Sequence, residues 1–127
     1  MRSSLCNSGM RIVALHHATS GEVIDLSLRP ISAETEHSTA IVKTDQFEAI
    51  RLVIPRGTDM PQHQVPGSIT LHCLEGRVQL GLGETVAELG AHQWVYLEGG
   101  AAHSVKGVED SVLLLTILFP PADASIG

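Results

Sequence analysis

A chain of 127 residues is the length of one domain, and it can bury roughly two-thirds of the surface that its unfolded form exposes. Its 43% hydrophobic and 17% charged residues are a globular composition and exclude a disordered chain. A net charge of −6 without long like-charge runs argues against nucleic acid and an anionic membrane surface as partners, and 3% aromatic residues leave no base-stacking platform.

Cys6 lies in a polar leader and Cys73 in an apolar run, so nothing in their placement pairs them. Both read as reduced thiols of a cytoplasmic protein. No apolar run approaches the length of a membrane span, and Ile12 to Leu15 is too short for a signal-peptide core.

In chain order, residues 1–9 read as a flexible leader, 10–120 as the single domain and 121–127 as a loose tail. Met10 to Leu15 is a first strand candidate. His16 and His17 follow it, but adjacent strand residues point to opposite faces and cannot chelate together. Glu22 to Leu28 alternates polar and apolar, which predicts a strand stopped by Pro30, and Ser32 to Ser38 reads as a loop. Thr39 to Lys43 and Phe47 to Ile54 are further strands, separated by a turn at Thr44-Asp45-Gln46. Pro55 to Asp59 is a turn signal.

A Pro/Gly-rich entry, Pro61 to Gly67, then feeds an apolar run over Ser68 to Leu74. Glu75-Gly76 breaks it, and Arg77 to Leu82 alternates as a half-buried strand does. Gly83-Glu84 has the length and type of a two-residue hairpin turn. Thr85 to Leu89, Gln93 to Leu97, His103 to Val105 and Ser111 to Phe119 complete the set. The last is apolar on both faces, which predicts burial on both sides in a sandwich core or a subunit interface. Trp94 and Tyr96 read as core-packing residues. In all, about eleven short strands at spacings of roughly eight to twelve residues, with no helical period, indicate a β-sandwich or barrel.

Two passages carry chemistry. Gly57 is followed after five residues by His63, with Gly76 closing the passage, and Gly100-Ala101-Ala102-His103 follows the run Trp94 to Leu97. These passages resemble the two motifs of the cupin superfamily, over Phe47 to Phe119. The resemblance implies an all-β, RmlC-like jelly-roll β-barrel. It also implies a site in which three His and one Glu surround iron, manganese, zinc, nickel or copper.

Only His63 and His103 carry over. Val65 stands at the position of the second motif His and Ile69 at that of the motif Glu, while Glu98 replaces a Pro and His92 a turn Gly. Two imidazoles alone hold a divalent transition metal weakly, because zinc takes three or four protein ligands and non-haem iron wants a carboxylate beside two His. Glu98, five residues before His103, is the one carboxylate with a place near the pair. Strand alternation turns His72 away from Ile69, which denies His72 and Cys73 a catalytic dyad.

His63, Val65, Ile69 and His103 therefore define an expected pocket with a degenerate metal site. Binding of a small organic ligand is the first reading. A metal-dependent oxygenase or isomerase with His63 and His103 as ligands is the second, and a dimeric scaffold is the third. The resemblance further implies a homodimer built on edge strands, with the early strands and Ser111 to Phe119 as candidates. Gly81-Leu82-Gly83 lacks the rest of a dinucleotide loop, and there is no phosphate loop or serine nucleophile elbow.

Overall fold

The computed structural model describes residues 12–13, 17–27 and 37–120. Among them are ten strands and no helix: β1 (Ile12–Val13), β2 (Ser38–Lys43), β3 (Phe47–Ile54), β4 (Asp59–His63), β5 (Ile69–Glu75), β6 (Arg77–Leu82), β7 (Thr85–Gly90), β8 (Trp94–Leu97), β9 (His103–Gly107) and β10 (Ser111–Leu118). They form a six-stranded sheet in the order β1-β2-β3-β10-β5-β8 and a four-stranded sheet in the order β4-β9-β6-β7. Every strand pair is antiparallel except β1 with β2. Chain neighbours β4 and β5 lie in different sheets, as do β7 and β8, so the chain winds as a jelly roll.

Alternation builds the core. Ile50, Leu52 and Ile54 of β3 face inward beside Leu113, Leu115 and Ile117 of β10, which in turn face Cys73, Leu71 and Ile69 of β5. From the other sheet, Met60, Val78, Leu80 and Val105 close on them. Each fully buried aliphatic side chain contributes about 1.5–3 kcal/mol. Of the two apolar faces of Ser111 to Phe119, the inner one is buried here, while on the outer one Val112 is buried, Leu114 is half-buried and Leu118 is 43% exposed, so burial on both sides is only partial. β10 is paired on both edges, by β3 and β5. A strand with both edges occupied cannot add a partner strand, so it is excluded as an edge for assembly.

The sequence reading differs from the structure in three places. Glu22 to Ser27 forms no strand. The carbonyls of Leu26 and Ser27 accept hydrogen bonds from the Arg51 guanidinium at 3.2 and 2.8 Å, and Asp25 accepts the Ser27 N–H at 3.0 Å. These backbone groups are satisfied by side chains, so alternation alone did not make a ladder. Residue 28 and the predicted loop before His37 lie outside the described residues, as do Cys6, His16 and the predicted leader and tail. The first part of the Pro61 to Gly67 entry, Pro61 to His63, belongs to a strand, β4. It lies at an edge, where a missing proline N–H breaks no ladder, and its register with β9 shifts between Met60 and His63. Third, Trp94 and Tyr96 are 61% and 54% exposed. Val95 and Leu97 take the inward positions of β8, which leaves the two aromatics outside.

The predicted turns at Gly76 and Gly83 are present with positive φ of 86° and 69°, and Leu82 pairs with Thr85 around the second. At Gly76 a side chain would also meet the Asp110 carbonyl and the Ser111 hydroxyl. That hydroxyl, fully buried, accepts the Arg77 N–H at 2.9 Å and donates to the Glu109 carbonyl at 2.7 Å. Gly76→Ala should therefore cost at least ~2 kcal/mol, from left-handed strain plus a disrupted hydrogen bond. Urea unfolding will show a lowered midpoint at unchanged slope; an unchanged midpoint would refute this account of the β5–β6 corner.

Candidate functional site

His63 ends β4 and His103 opens β9, and the antiparallel register sets them directly opposite each other. His103 lies on the inner face, since it is only 3% exposed and alternates with buried Val105. The His103 Nδ1 lies 3.0 Å from the Ala101 carbonyl. A carbonyl only accepts, so Nδ1 is the donor in this contact.

The same end of the barrel is closed by backbone contacts. Gly100 N–H donates to the Val65 carbonyl at 2.8 Å, Leu118 N–H to Ser68 at 2.8 Å and Phe119 N–H to Gln46 at 2.9 Å. Hence the chain before β5, the turn before β9, the end of β10 and the start of β3 meet at one rim. Val65 and Ile69 lie there, 8% and 3% exposed and part of the core.

The inner face of the six-stranded sheet carries a row set by register: Lys43 opposite Glu48, Glu48 opposite Ile117, Ile117 opposite Ile69, and Ile69 opposite Leu97. Glu48 is 3% exposed. Burial pushes its carboxyl above the ordinary value of 4.5, and the charges of Lys43 and His17 pull it partly back. The Lys43 ammonium lies 5.8 Å from the centre of the Phe119 ring, a cation–π contact at the rim. One sheet thus carries the opposed histidine positions, and the inner face of the other carries a buried carboxyl in one register row with Ile117 and Ile69.

No family model matches the chain, and no curated protein matches it by sequence. Solved structures do. A conserved protein of unknown function from Streptococcus pyogenes superposes with a TM-score of 0.73 at 18% identity, over 87% of this chain and 97% of that one. A cupin superfamily protein from Desulfitobacterium hafniense gives 0.70 at 12% identity, over 85% and 99%. An RmlC-like cupin from Desulfovibrio desulfuricans gives 0.64 at 19%, over 80% and 97%. The fold is a cupin fold.

Within this cupin fold the donor set does not fit a metal ion. The two remaining ligand positions of the motif hold Val65 and Ile69, which have no lone pair to offer and are packed into the core. Glu98 is exposed in the turn after β8, where its carbonyl accepts the Ala101 N–H at 3.2 Å. His92 is also exposed, with φ of 72°. Gln62 and Gln64 are exposed on either side of His63. His72 sits on the outer face between Leu114 and Trp94. Among the described residues no group of three or more His, Cys, Asp or Glu is placed to hold a metal. Cys73 is fully buried; burial pushes its thiol up, with a weak hydrogen bond to the Glu75 carbonyl at 3.4 Å acting against it. It is a core residue, inert as a nucleophile.

Glu48 and Lys43 were not singled out by the sequence reading. The available signal was a charge at an inward position, since Glu48 precedes Ile50, Leu52 and Ile54 at alternate places. A raised carboxyl pKa means that the folded state holds this proton more tightly than the unfolded chain does. Its contribution is then complete below the ordinary carboxyl value and is lost as pH rises through the folded value. Urea unfolding of wild type and Glu48→Gln across pH should give similar stabilities in acid. The variant should become the more stable protein as pH rises above 4.5. The reverse sign at neutral pH would mean that Lys43 outweighs burial.

Proposed function

We propose that this cupin barrel binds a small organic molecule at the rim between His63 and His103 on one sheet and Glu48 on the other. The observation that carries the reading is the exchange of two motif ligands for Val65 and Ile69 while the opposed histidine positions are kept. Such a wall favours an apolar body, and the imidazole and carboxyl groups orient a polar end by hydrogen bonds. These hydrogen bonds set specificity, because an unpaired buried partner costs about 1–3 kcal/mol. A metal-dependent oxygenase or isomerase on the same histidines is the weaker reading, since no donor stands at the third and fourth ligand positions.

The test is a titration of isotope-labelled protein with short-chain alcohols, ketones and carboxylic acids, followed by amide chemical shifts. Saturable shifts should gather at Ile69, His103, Ile117 and Glu48. His103→Phe, which keeps a buried ring without its nitrogens, should weaken the best compound at least tenfold. Saturable shifts away from this rim, or affinity unchanged in His103→Phe, would contradict the proposal.

A further inference from the structure

The two sheets part between β7 and β8, and the gap leaves a groove of about 350 Å³. Leu80, Ala87, Leu89 and Val95 line it with aliphatic surface. Glu88 of β7 and Trp94 of β8 border it, and Gln93 stands at the corner that joins the two strands. None of these residues belongs to the rim around His103, Ile69 and Glu48, so the two sites stand or fall separately.

Both banks of the groove are open strand edges, since β8 ends the six-stranded sheet and β7 the four-stranded one. The Gln93 carbonyl accepts the Cys73 N–H at 2.9 Å, so the main chain at 93 faces β5. Antiparallel pairing alternates, which turns the N–H and C=O groups of Trp94 and Tyr96 to the open side. On β7, the Gly90 N–H donates to Gln93 Oε1 at 2.8 Å, and its carbonyl accepts the Gln93 N–H at 3.0 Å. Arg77, opposite Gly90, gives its own N–H to Ser111 and its carbonyl to the Val108 N–H. Position 90 therefore faces away from β6, and alternation turns Val86 and Glu88 the same way. Unpaired main-chain groups thus flank the aliphatic surface on both sides. An open edge takes up an extended chain, and β8 carries neither charge nor proline to prevent it.

Charge and size narrow the occupant. From Glu84 to Glu98 the chain carries three Glu and no Lys, Arg or Asp. Arg77 lies 2.9 Å from Glu88 and offsets it in part, but is shared with Glu109 at 3.8 Å. On a chain with a net charge of −6, these banks favour a cation. An extended chain advances about 3.4 Å per residue with a cross-section of roughly 4.8 by 10 Å, or about 160 Å³. The groove of about 350 Å³ then has room for about two residues.

We infer that this groove binds an extended peptide segment of a partner protein, with small aliphatic residues at alternate places and lysine or arginine beside them. Its main chain pairs with the free edge of β8, and its aliphatic side chains cover Leu80, Leu89 and Val95. Its cations meet Glu88 and Glu98. Main-chain pairing supplies the affinity, and the aliphatic groove sets which side chains are accepted.

The test titrates the isotope-labelled full chain with the capped peptide Lys-Val-Thr-Val-Lys. Saturable amide shifts should appear at Glu88, Trp94 and Tyr96, with slower hydrogen exchange at Trp94 and Tyr96. The emission of the sole tryptophan should move to the blue in step. N-methylation of the three central residues keeps every side chain and charge but removes the donors, and should weaken binding at least tenfold. Glutamate in place of both lysines should weaken it at least threefold, by a margin that shrinks as salt is added. Ala87→Leu fills the groove and should weaken the parent peptide at least tenfold; should that variant fail to fold, the three peptides decide on the wild type. Equal affinity of the N-methylated peptide would overturn the inference, because an aliphatic molecule without main-chain pairing would then suffice. Shifts gathered at His103 and Ile69, or no saturable shift at millimolar peptide, would overturn it too.

Discussion

The seating of β10 between β3 and β5 is the constraint on which the rest of the molecule depends. Leu113, Leu115 and Ile117 fix the inner face of three strands at once, because each has an inward partner on both sides. A slip of one residue in either ladder would turn Ile50, Leu52 and Ile54, or Ile69, Leu71 and Cys73, out to water. The same register decides the site. Glu48 lies inside the barrel because it is in phase with three core residues of β3, and Ile69 lies beside Ile117 for the same reason.

That packing argues against a metal shell around the two histidine positions. Val65 and Ile69 are not merely absent ligands; they belong to the buried aliphatic cluster that joins the rim to the core. Restoring a donor at either place would put a polar group among aliphatic neighbours and would cost stability as well as volume. The carboxyl at this end of the barrel comes instead from β3, two strands away from Ile69 in the sheet order. Burial makes that carboxyl reluctant to ionise, and this suits a hydrogen-bonding wall better than a metal ligand, which must be deprotonated.

Much of the fold was legible in the sequence, for local reasons. Phe47 to Ile54 and Arg77 to Leu82 match their strands to the residue, since each alternates cleanly and is bounded by turn chemistry. The positions of His63 and His103 were readable from the motif spacing. What could not be read was anything decided by distant partners. Glu22 to Ser27 has strand-like alternation, yet Arg51 takes its carbonyls. The core role expected of Trp94 and Tyr96 failed because two adjacent alternating sets are both apolar on β8, and only the opposing sheet chooses which turns inward. Glu48 was missed because a lone acid at a strand start looks solvated until the register with Ile117 is known.

The central claim is that this cupin barrel keeps two motif histidines without a metal centre. The most direct measurement is metal content by elemental mass spectrometry, on tag-free protein purified without chelator, beside the His63→Ala/His103→Ala double variant. The account predicts iron, manganese, zinc, nickel and copper well below one per chain, and no difference between the two proteins. One equivalent of any of these metals in the wild type, lost in the variant, would contradict it.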